Sequence, residues 1–94
     1  MESDLLALLR EEYGEHPEGP RAHKFQFAAS NRERAAWVIA QIEGKTGFTF
    51  PGRQVVDVGS AYAGFVIVAA QRGARAWGIE VSPRFYRYGE LNAK

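Results

Sequence analysis

The chain has no cysteine, one methionine and two histidines in 94 residues. Without cysteine there is no disulfide framework, no thiolate metal site and no thiol nucleophile, and the composition fits a reducing, cytoplasmic compartment. His16 and His23 have no third ligand at metal spacing, so both read as surface residues and no metal is expected. Charge of one sign is also missing. Twelve Lys and Arg against eleven Asp and Glu leave +1, with the two signs interleaved, so charge does not indicate nucleic acid or anionic lipid as a partner. The longest run without a charge or strongly polar group in the second half, Ala61 to Ala70, is about half of the ~20 residues that cross a bilayer. The acidic start MESDLLALLREE is unlike a secretory leader. A soluble chain with no membrane partner is expected. At this length roughly 60–65% of the unfolded surface is hidden on folding, which leaves room for one core and excludes separate cofactor and substrate domains.

What is present divides into residues 1–29, an amino-terminal helix and connector, and 30–94, an α/β portion. Leu5, Leu6, Leu8 and Leu9 recur at helical spacing behind Ser3 and Asp4, either of which is a capping residue. YGEHPEGP, Tyr13 to Pro20, breaks that helix. Phe25 and Phe27 alternate around Gln26 as a brief extended segment or as two anchors. Ser30 and Glu33 form a capping-box pair before the apolar face of Ala35, Ala36, Val38, Ile39 and Ile42, and Gly44 is the expected stop. Trp37 is expected to pack, because an indole left in water forfeits a large hydrophobic gain.

After the Pro51-Gly52 turn, Gln54 to Val58 reads as a buried strand, Tyr62 to Arg72 as a helix ending at Gly73, and Arg75 to Ile79 as a second strand, which together make a βαβ unit with parallel strands at about 54–58 and 75–80. Ser82 and Pro83 then open a helix over Arg84 to Ala93. Arg84, Arg87 and Lys94 read as its solvated face.

The chemistry concentrates in Val55-Val56-Asp57-Val58-Gly59-Ser60-Ala61-Tyr62-Ala63-Gly64, with Glu80 closing the second strand. In an open parallel sheet ligands sit beyond the carboxyl ends of the strands, so Asp57 and Glu80 should face one crevice. Gly59 removes a side chain where backbone approaches a ligand, and the N–H groups opening the next helix favour electron-rich groups. An acid at the second strand tip suits a ribose diol. Each has a plainer alternative: Asp57 as a helix cap, Glu80 as a solvated carboxylate, Ser60 and Tyr62 as turn chemistry.

These residues resemble the class I, Rossmann-like S-adenosylmethionine-dependent methyltransferases. Val55 through Ala63 matches the family's hydrophobic-hydrophobic-acid-hydrophobic-GxGxG motif, and Glu80 in GIEVSP matches the acid closing the next strand. The resemblance runs from Gln54 to Lys94. It implies S-adenosyl-L-methionine as cofactor, with Asp57 near the methionine amino group, Gly59, Ser60, Ala61 and Tyr62 lining the methionine and ribose, Glu80 on the ribose hydroxyls and Val81 against the adenine. Two departures stand out: Ala61 and Ala63 replace the second and third glycines. A dinucleotide-binding Rossmann fragment fits less well, because the residue two before the first glycine is Asp57 rather than apolar and position 61 is not glycine.

The family implies a seven-stranded sheet, of which two strands fall in this sequence. The expectation is therefore the amino-terminal, cofactor-binding portion of a methyltransferase whose methyl acceptor is unidentified, with no catalytic base to name and little activity in this chain alone. The alternative is a non-catalytic interaction module that self-associates or pairs through an open sheet edge.

Overall fold

A computed structural model describes residues 3–94 as a small mixed α/β domain of five helices and a two-stranded parallel sheet. The order is α1 (Asp4–Tyr13), α2 (Gly19–Ala29), α3 (Asn31–Thr46), β1 (Gln54–Val58), α4 (Gly64–Gln71), β2 (Arg75–Ile79) and α5 (Pro83–Ala93). The strands pair in register from Gln54 opposite Arg75 to Val58 opposite Ile79, joined by the α4 crossover. No helix among the described residues is long and apolar enough to cross a membrane.

The ends of α1 and α5 follow the sequence. Ser3 accepts from the Leu6 N–H at 3.1 Å, and Ser82 from the Phe85 N–H with Pro83 in the first turn. The stretch expected to be connector and extended segment is different. Only Gly14 to Glu18 separates α1 from α2, and Phe25 and Phe27 belong to a helix that Pro20 opens. Arg21 holds the pair together: its Nη2 donates to the Glu12 carbonyl at 2.6 Å and its Nε to the Tyr13 carbonyl at 3.4 Å, satisfying acceptors that α1 leaves open. The i, i+2 spacing of the two phenylalanines then puts them on different sides, Phe25 buried and Phe27 exposed under the Arg34 guanidinium.

Three expectations for α3 also change. The capping box does not form, because the Ser30 hydroxyl donates backwards to the Gln26 carbonyl at 2.6 Å. The helix runs through Gly44 to Thr46 and stops at Gly47, which is left-handed. Trp37 is 66% exposed, because α3 turns Ala35 and Ile39 to the core instead.

Two apolar clusters hold the layers. Leu5, Leu9, Phe25, Ala28, Tyr88 and Leu91 join α1, α2 and α5. Ala35, Ile39, Phe50, Val68, Ala69 and Ala74 join α3 and α4, with Val55 and Ala76 of the inner sheet face packed against them. Arg84 is engaged rather than merely solvated: it donates to the Tyr88 hydroxyl at 2.6 Å and to Glu12 at 3.1 Å, and Tyr88 donates to the same carboxylate. The outer sheet face is bare, with Val56 and Trp77 paired across the strands, Val58 and Ile79 likewise, and all four exposed.

Candidate functional site at the strand tips

The chain leaves β1 through Gly59, whose φ of 77° lies where side chains are disfavoured, and its N–H and that of Ser60 both donate to the Ile79 carbonyl at 2.7 and 3.1 Å. Close approach then fixes Gly78: a Cβ there would stand 2.6 Å from the Ser60 hydroxyl oxygen. Ala61 (φ 49°) and Ala63 (φ 62°) are both left-handed, a conformation that glycine adopts freely and that costs about 1–2 kcal/mol per alanine. The helix of this unit accordingly begins at Gly64, not Tyr62.

Glu80 stabilises this strained turn. Its Oε1 accepts from the Ala61 N–H at 2.7 Å and its Oε2 from the Ser82 N–H at 3.0 Å, which ties the turn after β1 to the start of α5. These backbone donors, Ser82 first and Ala61 second, hold its carboxyl below the usual glutamate range. Glu80 is thus a partly exposed carboxylate that is also tied to the backbone at both oxygens.

Asp57 sits in the opposite condition. It is half-buried, and no donor among the described residues reaches its carboxylate. Burial first, and the charge of Glu80 second, push its pKa up. It caps nothing either, since Ala63 occupies the cap position of α4 and α4 has no side-chain cap. No buried side-chain oxygen among the described residues lacks a partner, so the Asp57 carboxylate meets water at the cavity mouth, and carboxyls whose pKa is raised by burial are enriched at functional sites.

Asp57 opens onto a cavity of about 780 Å³, with Phe27 of α2, Val38 of α3, Phe65 of α4 and Phe85 of α5 among its apolar walls. Ser60, Ala61 and Tyr62 also line it. Glu80 lines a separate cleft of about 130 Å³ beside Gly78 and Gly89. The two acids thus face different spaces, and Ser60 and Ala61, which line both, form the saddle between them. Of the remaining expected residues, Gly59 shapes the turn without lining either space, and Val81 is 93% exposed with nothing yet against it. Tyr62 stacks on Tyr88 at 5.4 Å and meets Phe85 edge-on, and burial raises its phenol pKa.

Sequence reasoning missed two contributions. One is α2, which brings His23, Lys24 and Phe27 to the cavity; Pro20 two residues after an acidic position was its signal. The other is a buried amide pair. Asn92 Nδ2 donates to Asn31 Oδ1 at 2.8 Å and to the Tyr62 carbonyl at 2.7 Å, Asn31 Nδ2 donates to the Ala28 carbonyl at 2.7 Å, and Arg32 donates to both oxygens of Asn92. Asparagines 61 positions apart carry no mark of this in sequence. Among the described residues no group of His, Asp or Glu is placed to hold a metal ion. No family model, curated protein or solved structure matches this chain.

Proposed function

We propose that this domain binds S-adenosyl-L-methionine and forms the cofactor-binding portion of a Rossmann-like methyltransferase. The observation that carries the reading is the unpartnered, half-buried Asp57 carboxylate at the tip of β1, opening onto a large aromatic-walled cavity. Its volume falls in the range of about 300–1,000 Å³ typical of cofactor sites. A cation completes what Asp57 lacks, and the ring faces favour a second positive centre such as a sulfonium.

The rest of the strand-tip geometry fits the same ligand. Each Glu80 oxygen already accepts one backbone N–H, and each retains a lone pair for a ribose hydroxyl. A ligand spanning from Asp57 to Glu80 crosses the Ser60–Ala61 saddle, where small side chains let it approach the backbone. Val81 lies free beyond Glu80 for an adenine face. When bound, the cofactor supplies an activated methyl group, and the role of these residues is to hold it in one orientation. They supply no base for an acceptor, and the acceptor is not assigned.

The test is calorimetric titration of S-adenosylhomocysteine into the wild-type chain and into Asp57→Asn. Saturable binding weakened at least tenfold in a folded variant is the expected result. A folded wild-type chain that gives no heat, or an Asp57→Asn variant that binds equally well, refutes the reading.

A second reading, an interaction module that pairs with another copy of itself, is favoured by the bare outer sheet face. Parallel sheets are ordinarily covered on both faces, and a net charge of +1 does little to hold two copies apart.

A further inference from the structure

Two large rings are left in water on the α2–α3 hairpin, Phe27 at 61% exposure and Trp37 beyond it. The Arg34 side chain reaches one and neighbours the other. Its guanidinium lies 3.6 Å from the centre of the Phe27 ring, and on α3 it stands one helical turn before Trp37. Only one nitrogen of that guanidinium is in use. Nη1 donates to the Phe27 carbonyl and to the Ser30 hydroxyl at 2.8 Å, whereas Nε and Nη2 donate to nothing among the described residues. Those two nitrogens form the edge that grips two oxygens of a phosphate. Charge around the rings is mostly of one sign. Residues 19–41 hold four bases, Arg21, Lys24, Arg32 and Arg34, against the single acid Glu33. Glu33, also one turn from Trp37, lines a different cleft beside Arg32, while Lys24, Phe27 and Arg34 share the rim of the Asp57 cavity. Arg21 and Arg32 are engaged with backbone and with Asn92, which leaves Lys24 and Arg34 with donors to spare. A net charge near zero for the whole chain thus conceals a basic, aromatic hairpin.

We infer that the α2–α3 hairpin binds single-stranded nucleic acid, with bases stacked on Phe27 and Trp37 and phosphates held by the open edge of Arg34 and by Lys24. Every base has a π face, so exposed rings take a strand whatever its sequence, and a duplex, whose bases are already stacked on one another, offers those rings nothing. A ring with a guanidinium edge beside it matches a base with its phosphate. An anionic bilayer is the other surface that basic and aromatic residues suit. It takes up a continuous apolar face, and here the Arg34 charge lies against the Phe27 ring and interrupts that face. Because Phe27 and Arg34 also line the Asp57 cavity, a strand on the hairpin passes over its mouth. The inference uses no strand-tip residue and is independent of the cofactor reading.

The experiment is fluorescence anisotropy of a labelled oligothymidylate of about 12 nucleotides with the wild-type chain, started in about 50 mM salt and repeated as salt is raised. Saturable binding is expected, at least tenfold tighter than to a duplex of the same length. Two neutralised phosphates give a slope of about −1.4 for the logarithm of affinity against that of salt, and Lys24→Gln should bring it to about −0.7. Trp37→Ala should weaken binding at least fivefold. Both positions are exposed, so circular dichroism should find both variants folded. Trp77→Ala, on the outer sheet face, should bind as wild type does. No binding by a folded wild-type chain overturns the inference, and so does equal affinity for the duplex. A loss in Trp77→Ala as large as that in Trp37→Ala overturns it too, by moving the strand to the sheet. Vesicles rich in phosphatidylserine should leave the complex intact; vesicles that displace the oligonucleotide overturn the inference in favour of a membrane surface.

Discussion

Asp57 and Glu80 are two carboxylates on neighbouring strand tips, and the backbone treats them oppositely. Glu80 is held by two N–H donors and is better off ionised in the folded state; Asp57 has no donor and is worse off. The linkage signs follow. Glu80 contributes stability that is present above its unfolded pKa and lost as pH falls through its lowered folded value, whereas Asp57 binds its proton more readily folded than unfolded, so stability is lost progressively as pH rises from its unfolded pKa through its raised folded value. Asp57→Asn should therefore raise the unfolding midpoint of the ligand-free chain at pH 7, a gain that disappears as pH falls below the ordinary aspartate range, where the carboxyl is protonated in both states. Thermal scans across that range check it, and a variant less stable than wild type at pH 7 would mean that Asp57 is a structural partner after all. That two acids stand at neighbouring strand tips was readable from VVDVG and GIE. That they face different spaces was not, because Ala61 and Ala63 in left-handed backbone decide how the turn folds over.

Strands and outer helices were legible because their signals are local: QVVDV and RAWGI between glycine turns, Ser82-Pro83 before a helix, an apolar stripe behind Ser3. The α2 helix was not, because its apolar residues do not make one stripe. Phe25 serves the core and Phe27 the cavity, a division set by α1 and α3 on either side. Trp37 and the Ser30–Glu33 pair differ from expectation because α3 buries Ala35 and Ile39 rather than Trp37, and because Ser30 ends α2, where its hydroxyl donates to the Gln26 carbonyl. The α2–α3 junction and the end of α5 are fastened to each other by Asn31, Asn92 and Arg32. Asn92→Ala would strip two donors from a buried site and leave the Asn31 and Tyr62 oxygens short of a partner. A loss of about 2–3 kcal/mol in denaturant unfolding, with the slope unchanged, is expected. A loss under about 0.5 kcal/mol would show that the helices are held by the apolar clusters alone.

At the scale of the molecule, α3 and α4 cover the inner face of the sheet, whereas the outer face stays exposed, with only the Arg75 guanidinium lying over Trp77 at 5.9 Å. Val56, Val58, Trp77 and Ile79 form there a contiguous apolar surface of the kind that marks an interaction site. Sedimentation velocity should show association that rises with concentration in wild type and is absent in Trp77→Lys, a substitution at an exposed site that leaves both apolar clusters intact. Wild type that sediments as a monomer at every concentration would remove the self-pairing reading and leave the cofactor reading untouched.

The placement of the two tryptophans has an optical consequence. Trp37 and Trp77, the only indoles in the chain, both meet water in the folded protein, whereas the buried aromatic cluster is built from Tyr62, Phe85 and Tyr88. Indole emission should therefore already be red-shifted in the native state and change little on unfolding. A blue shift would instead report that something has come to lie against the sheet, so in this molecule tryptophan fluorescence registers company rather than folding.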